Sequence, residues 1–279
     1  MSASASRKRC YIQVERLFLL SLCLCVVIGC GVPAAAAELD AQLLNKIQAA
    51  TFEVVAAKPA TDPLTYFKPL PFDLLPFQER NDKYYSVGTA FSLGNNRFVT
   101  AAHVLDTGIG SLWGAPALRD SKGRVFPVGK IEKVSLARDF AVFTVTGNPN
   151  AENLEINTQP QLHGAVYAVG NALGTGVIVR DGVYTSMTPE ERDGRWKWLR
   201  FSAAASPGNS GGPLLDKDGA ILGVVLMKSP NENLNYALPI QEVIDAPDRQ
   251  AEIDNRVSYQ LDVLDAPLND IFREKFSFR

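Results

Sequence analysis

A serine between glycines, Ser210, lies in the segment 208–213, which reads GNSGGP. A hydroxyl group that attacks a carbonyl carbon must be exposed at a sharp bend, beside backbone N–H groups that stabilise the negative oxygen formed in the attack. Glycine permits such a bend because it adopts positive φ, and it lets another backbone come close. A glycine-rich turn between strands is the alternative interpretation. Because Asn209, Gly212 and Pro213 make the pattern narrower than a bare GxSxG, we predict that Ser210 is a nucleophile.

A serine nucleophile needs a base, and the chain has two histidines, His103 and His163. His103 follows the strand-like run 98–102, whose two final alanines leave room for other groups around the imidazole. His163 lies in the sequence QLHG at 161–164, which is typical of a turn that opens a strand. A lone histidine is more often structural than catalytic. We predict that His103 is the base and that His163 is structural.

The third group should be a carboxylate that orients the imidazole and stabilises its protonated form. Asp139 precedes the apolar run 140–143, so its side chain can be buried and still aimed at a partner. Asp106 is too close to His103 along the chain to reach round the ring, and Asp120 lies in RDSKG, an ordinary hairpin turn. Asp139 is therefore the predicted orienting carboxylate, with a turn aspartate as the alternative.

The elements that would position these groups are short strands. From residue 84 onward, apolar segments alternate with turn residues, a rhythm typical of barrels or sandwiches. Apolar residues in 38–52 recur at helical spacing, and 51–57 is predicted as the first strand. The polar stretch 147–160 is the expected connection between two halves. It would place His103 and Asp139 on the first half and Ser210 on the second.

Residues 1–37 are predicted to be an export signal. Basic residues precede the apolar run 17–29, which is short for a membrane span, and four alanines end the segment at Ala37. Cleavage after Ala37 is the simplest interpretation, and it makes the protein periplasmic or secreted in a bacterium. The alternative is a membrane-anchored lipoprotein, because VIGC at 27–30 is similar to a lipobox and would make Cys30 a lipidated N-terminus.

Composition excludes several classes of function. All four cysteines of the 279-residue chain lie in the segment 1–37, so we expect neither a disulfide nor a thiolate metal site after it. The remaining chain carries 24 Lys and Arg and 29 Asp and Glu residues, a net charge of −5, with no basic run. Nothing in it indicates nucleic-acid binding, a metal site or a cofactor.

The chain order His103, Asp139, Ser210 is that of the chymotrypsin-type proteases. Four segments carry a resemblance to this fold and, within it, to the bacterial HtrA (Deg) type: GTAFS at 88–92 leading into TAAHV at 100–104, DFAV at 139–142, GNALG at 170–174, and GNSGGP at 208–213. The resemblance covers roughly residues 40–245. It is most specific in the serine segment.

The resemblance implies an all-β fold of two packed six-stranded antiparallel β-barrels with a short N-terminal helix and a C-terminal tail. The helix, a long loop and the first barrel would occupy 38–150, the second barrel 151–245 and the tail 246–279. The implied activity is that of a serine endopeptidase that works through an acyl-enzyme, in quality control or processing of envelope proteins. Activity should rise with pH as His103 loses its proton.

The resemblance also implies an oxyanion hole formed by the N–H groups of Gly208 and Ser210. The primary pocket would be lined by Ala204, Ala205, Val224, Val225 and Leu226. Since no acidic residue lies there, we expect small or medium apolar side chains before the cleaved bond.

Two departures limit the resemblance. Asn209 stands where trypsin-like digestive enzymes have the aspartate that binds a newly cut N-terminus, so activation by that salt bridge is not expected. About 40 residues follow position 239, fewer than the peptide-binding PDZ domain of HtrA proteins requires.

The segment 58–81 contains five prolines and the aromatic residues Tyr66, Phe67, Phe72 and Phe77, and is predicted to be a long loop. Because a loop at this place helps to hold HtrA subunits together, Phe72 and Phe77 are candidates for a homo-oligomer contact. Folding back on its own barrel is the equal alternative. For the whole chain, the rival functions are a non-cutting, chaperone-like binder of polypeptides and, less favoured, an esterase.

Overall fold

The computed structural model describes residues 39–58, 81–105, 115–171, 174, 176–228, 233–254 and 257–260. The predicted signal segment and nearly all of the loop 58–81 lie outside these residues, as does Asp106. In chain order, the elements within them are α1 Ala41–Ala50, β1 Thr51–Ala57, β2 Tyr84–Gly94, β3 Arg97–Thr100, α2 Ala102–Leu105, β4 Pro116–Arg119, β5 Val125–Ser135, β6 Phe140–Val145, β7 Ala165–Gly170, β8 Ile178–Pro189, β9 Lys197–Phe201, β10 Pro213–Asp216, β11 Ile221–Lys228, β12 Asn235–Pro239, α3 Ile240–Asp245, β13 Gln250–Asp254 and β14 Val257–Gln260. None of the helices in the described ranges has the length and apolar character needed to cross a membrane.

The N-terminal helix α1 begins because Asp40 caps it. The Asp40 carboxylate accepts a hydrogen bond of 2.7 Å from the Leu43 N–H, one of the donors that a helix start leaves without a partner. Ile47 and Ala50 are its buried residues, and Thr51 ends the helix in an extended conformation. The helix therefore leads directly into the first strand.

The first barrel consists of β5, β4, β1, β2, β3 and β6 in spatial order, and the β5–β6 pairing closes it. All six neighbour pairs are antiparallel. The eleven residues of β5 serve three neighbours, because its first part pairs with β4, its second with β6, and its last two residues with β13 in parallel. The C-terminal strands β13 and β14 thus extend this sheet outside the barrel.

The second barrel is closed in the spatial order β10, β11, β12, β9, β8, β7, again with antiparallel neighbours. The prediction of two six-stranded antiparallel barrels with a short N-terminal helix is confirmed. Residues 146–164 connect the barrels, and Ile156 forms a bridge with Ile221 on the way.

The apolar core joins the two barrels. Its larger cluster combines first-barrel residues such as Phe98 and Phe143 with second-barrel residues such as Val169, Val224 and Leu238. A smaller cluster, which includes Phe201 and Leu214, fills the second barrel alone. The barrels therefore pack on each other through a shared buried surface, which holds the elements between them in place.

Phe98 tests the importance of the larger cluster. Its ring is fully buried, with its centroid 5.3 Å from the Phe52 centroid and 6.1 Å from the Phe143 centroid. Phe98→Ala should lower the free energy of unfolding by about 3–5 kcal/mol, because it leaves a cavity that neighbours fill only in part. Denaturant titration measures the loss. The control Leu162→Ala, at a side chain that is 56% exposed, should stay within about 0.5 kcal/mol of the parent. Equal effects of the two changes would contradict the assignment of Phe98 to the core.

Candidate active site

His103 and Asp139 are joined by two hydrogen bonds. His103 lies in the one-turn helix α2 directly after β3, and its backbone N–H donates to Asp139 Oδ1 at 2.9 Å. The ring Nδ1 and Asp139 Oδ2 are 2.6 Å apart. Because the carboxylate binds both the backbone and the ring of one residue, it fixes the position and rotation of the imidazole. A proton on Nδ1 leaves Nε2 as the basic nitrogen.

Asp139 lies in a turn and has an unusual backbone conformation. Its φ is +58°, in the left-handed region that aspartate adopts at some cost, and β6 begins at the next residue. The turn separates β5 from β6, and β6 pairs with β3, the strand that leads to His103. Strand pairing therefore brings the carboxylate to the imidazole across 36 residues of sequence.

The segment around Ser210 forms tight turns after β9. Asn209 N–H donates to Ser206 O at 3.0 Å and Gly212 N–H donates to Asn209 O at 3.0 Å. Gly208 has a φ of +96° and Gly211 a φ of +85°, conformations that glycine adopts without strain. The Ser210 hydroxyl donates to Leu226 O on β11 at 3.1 Å. The serine thus stands at a sharp bend beside β11.

Thr89, in β2 of the first barrel, holds this bend. Its buried hydroxyl donates to Gly208 O at 2.6 Å and accepts from Asn171 N–H at 2.9 Å. Its own N–H donates to Ser210 O at 2.9 Å. The carbonyl oxygens on both sides of Asn209 therefore point to the first barrel.

The N–H groups of Gly208 and Ser210 have no acceptor among the residues that the structure describes. Two backbone donors on either side of a turn, with their carbonyls bound elsewhere, suit a negatively charged oxygen. Both predicted oxyanion donors thus belong to the turn that carries Ser210, the predicted nucleophile.

Glycines allow the close approach of the two barrels at this point. A methyl group at Gly88 would lie 2.6 Å from Val104 Cγ1 and 3.0 Å from Ser210 O, so the residue after His103 and the carbonyl of the serine lie against the same glycine. A methyl group at Gly211 would overlap Thr100 Oγ1 and Thr89 O. Side chains at either position would push the serine turn away from β2 and β3.

Comparison with known proteins agrees with this arrangement. Residues 88–224, just under half of the chain, match the family model of the trypsin-like peptidase domain, and this range contains His103, Asp139 and Ser210. Residues 88–224 form a trypsin-like peptidase domain.

Among individual proteins, the serine endoprotease DegS of Salmonella typhimurium is 29% identical over 136 residues, which are 45% of this chain and 37% of DegS. The anti-sigma-I factor RsgI9 of Acetivibrio thermocellus is 26% identical over 169 residues, 60% of this chain and 23% of that protein. The chain thus spans well under half the length of these curated relatives. The solved structure of the HtrA-type protease AlgW with a decapeptide superposes with a TM-score of 0.58 at 20% identity, over 73% of this chain and 65% of that one. The predicted resemblance to chymotrypsin-fold proteases of the HtrA type is confirmed.

The residues proposed to line a pocket of the peptidase domain do not all face one way. Ala204 is exposed and Ala205 half-buried, beside the serine turn. Val224 and Leu226 belong to the core cluster shared by both barrels, whereas Val225 belongs to the cluster of the second barrel. The three β11 residues are thus buried on alternating faces of the strand.

The remaining polar residues considered from the sequence lie elsewhere. His163 is in the turn before β7, with its N–H bound to Tyr184 O, and Asp120 caps the β4–β5 turn by accepting from the Lys122 and Arg124 N–H groups. Within the described ranges, no three His, Cys, Asp or Glu residues are grouped as they would be around a metal ion.

Sequence reasoning assigned no role to Thr89 or Arg180 in the peptidase domain. Thr89 lies in the GTAFS segment, yet nothing in the sequence indicates that its hydroxyl reaches residue 208. Arg180 Nη1 donates to Ser206 Oγ at 3.0 Å, at the start of the serine turn. A polar residue among small ones in β2 is the only signal that could have identified Thr89.

The Thr89 hydroxyl can be tested by a near-isosteric change. Thr89→Val leaves Gly208 O and the Asn171 N–H unpaired, a cost of about 1–3 kcal/mol that the serine turn can relieve by moving. We expect Ser210 to react with a fluorophosphonate at least tenfold more slowly, as read by intact mass over time. Thr89→Ser keeps the hydroxyl and should react within about threefold of the parent. Equal rates for valine and serine variants would contradict a role for this hydroxyl.

Proposed function

We propose that this protein is a serine endopeptidase that hydrolyses peptide bonds through His103, Asp139 and Ser210. The observation that carries the proposal is the pair of hydrogen bonds between His103 and Asp139, in a domain whose serine turn has two N–H groups without an acceptor among the described residues. The peptidase relatives support the enzyme class. The reaction steps follow the general chemistry of a serine, histidine and aspartate triad.

In the first step, His103 Nε2 takes the hydroxyl proton of Ser210 while Oγ attacks the carbonyl carbon of the substrate. Asp139 keeps the Nδ1 proton in place and stabilises the imidazolium that forms. The imidazolium then gives its proton to the leaving amine, and an acyl-enzyme remains. A water molecule, deprotonated by the same nitrogen, releases the acyl group and restores Ser210.

The Gly208 and Ser210 N–H groups would bind the oxygen that becomes negative in both steps. One such donor typically contributes about 3–4 kcal/mol to the stabilisation of the transition state. Thr89 supports this site because it keeps the carbonyl oxygens of the same two residues turned away from the substrate.

The biological setting is part of the proposal. An export signal over 1–37 would place the enzyme in a bacterial envelope or outside the cell, where it would act on unfolded or immature polypeptides. Cys30 as a lipid anchor and the loop 58–81 as a subunit contact stay proposals of the same kind. Ala204 and Ala205 favour substrates with small or medium apolar side chains before the cleaved bond.

The serine assignment is tested by a fluorophosphonate probe. Residues 38–279 and the same chain with Ser210→Ala are incubated with the probe, and the intact mass is measured. The parent should gain one adduct, because Oγ displaces fluoride from phosphorus, and Ser210→Ala should gain none. A peptide library then reads cleavage specificity. Labelling of the variant at the parent's rate would overturn the assignment of Ser210.

A non-cutting polypeptide binder is the second candidate. It is favoured by the hydrogen bond that the Ser210 hydroxyl donates to Leu226 O, because this bond directs the hydroxyl hydrogen to a backbone carbonyl. Under this alternative, the parent would form no adduct but would still bind an unfolded protein such as reduced casein.

The base assignment predicts a pH profile. His103 must be neutral to accept a proton, so the rate of adduct formation should fall at acidic pH, where the imidazole is protonated. Labelling rates measured between pH 5 and 8 should follow a single titration and reach a plateau at the upper end. A flat profile over that range would rule out His103 as the base.

A further inference from the structure

Arg138, the residue before Asp139, is a point at which several segments of the chain meet. Its Nη1 donates to Glu252 Oε2 at 2.6 Å, and its Nε lies 3.1 Å from Glu242 Oε2. Its guanidinium carbon is 5.2 Å from the centre of a Trp196 ring. The partners come from β13, α3 and the β8–β9 hairpin. Contacts from three separate segments therefore hold one side chain, which is only 21% exposed.

Glu252 also binds the backbone of the turn that carries Asp139. The Ser135 hydroxyl donates to Glu252 Oε2 at 2.5 Å and accepts from the Arg138 N–H at 3.0 Å. The Leu136 N–H donates to Glu252 O at 2.8 Å. Glu252 thus contacts the turn at Leu136 and at Arg138, the residue before Asp139. It also contacts Ser135, the last residue of β5.

The C-terminal segment is itself fastened to β5 at several points. Lys133 is buried, and its ammonium group donates to Val243 O at 3.0 Å and to Ala246 O at 2.7 Å at the end of α3. The Arg249 N–H donates to Glu132 O at 2.6 Å, and β13 then pairs in parallel with the end of β5. Glu252 is therefore presented to the turn by a rigidly attached strand.

The turn needs such support because Asp139 has a φ of +58°. A side chain in the left-handed region keeps that conformation only where its surroundings impose it. We propose that Glu252, acting through Arg138 and Ser135, is a positioning residue that sets Asp139 against His103, so that the C-terminal strand is part of the catalytic machinery. This inference rests on the proposed function of the peptidase domain.

The charges around Arg138 fit this role. Burial raises the pKa of the Glu242 carboxyl, and the positive charge of Arg138 opposes that rise. Charge-assisted hydrogen bonds are about twice as strong as neutral ones, so the ionised form of Glu252 holds the turn more firmly than an amide would. Lysine cannot replace Arg138 fully, because it lacks the planar fork that reaches two carboxylates and stacks on tryptophan.

Glu252→Gln in the full chain is the decisive variant, since it keeps the shape and removes the charge. We expect the fluorophosphonate rate constant of Ser210 to fall roughly three- to tenfold, because small displacements of catalytic groups are costly. For a cleaved peptide, kcat should fall while KM stays within about twofold. The matched control is Glu53→Gln, which removes a partly buried ion pair of the same kind, between β1 and Arg119 of β4, away from the turn. It should react at the parent's rate.

Substitutions at Arg138 provide a second test of the proposal. Arg138→Met should react more slowly than Arg138→Lys. Adding Glu252→Gln to Arg138→Met should slow the reaction by a smaller factor than Glu252→Gln does in the parent, because the two changes share the Arg138–Glu252 interaction and only the Ser135 contact remains to be weakened. Denaturant titration confirms that each variant is folded at the assay temperature. Fully additive losses, or Glu252→Gln at the parent's rate, would overturn the proposal.

A measurement without turnover separates this inference from the proposed function. In the Ser210→Ala background, the ¹H NMR resonance of the proton between His103 Nδ1 and Asp139 Oδ2 reports their distance. It should shift or broaden in Glu252→Gln and stay unchanged in Glu53→Gln. If the parent fails to label but this resonance responds as expected, the proposed function fails and the positioning role stands. If the resonance does not respond, the positioning role fails.

Discussion

The hydroxyl group of Thr89 lies between the two barrels and binds a carbonyl of the serine turn on one side and the Asn171 N–H on the other. Because it is fully buried, no water can substitute for either contact, and loss of the hydroxyl leaves two polar groups unpaired. The orientation of the Gly208 peptide depends on this contact. The proposed oxyanion donors therefore depend on a residue that takes no part in the proposed chemistry.

Positive backbone φ values and anchoring by distant segments occur together in this site. Asp139 and Gly208 both have positive φ, and each lies beside a residue or carbonyl that is held by a distant segment. Thr89 belongs to the first barrel and stabilises a turn of the second, whereas Glu252 follows the second barrel and contacts a turn of the first. The first barrel thus stabilises a turn of the second barrel, and the C-terminal strand stabilises a turn of the first.

Patterns among neighbouring residues were enough to predict the features that depend on neighbouring residues alone. The spacing of apolar residues predicted α1 and β1, and the glycines around Ser210 predicted a sharp bend that the structure contains. Contacts across long stretches of sequence were out of reach. Thr89 meets a residue 119 positions away and Arg138 one that is 114 away, and neither pairing leaves a periodic signal. The alternating burial of Val224, Val225 and Leu226 likewise depends on which barrel each face of β11 meets.

The separation of Thr89 from the serine turn also sets an order of events during synthesis. Residues 84–100 leave the ribosome more than a hundred residues before Gly208, so β2 and β3 can pair while the serine turn does not yet exist. Contacts between distant residues form late because the intervening loop must first be closed. A nascent or half-folded chain consequently lacks the Thr89 contact on which the proposed oxyanion site depends. The proposed active site is therefore complete only in a chain in which both barrels have formed.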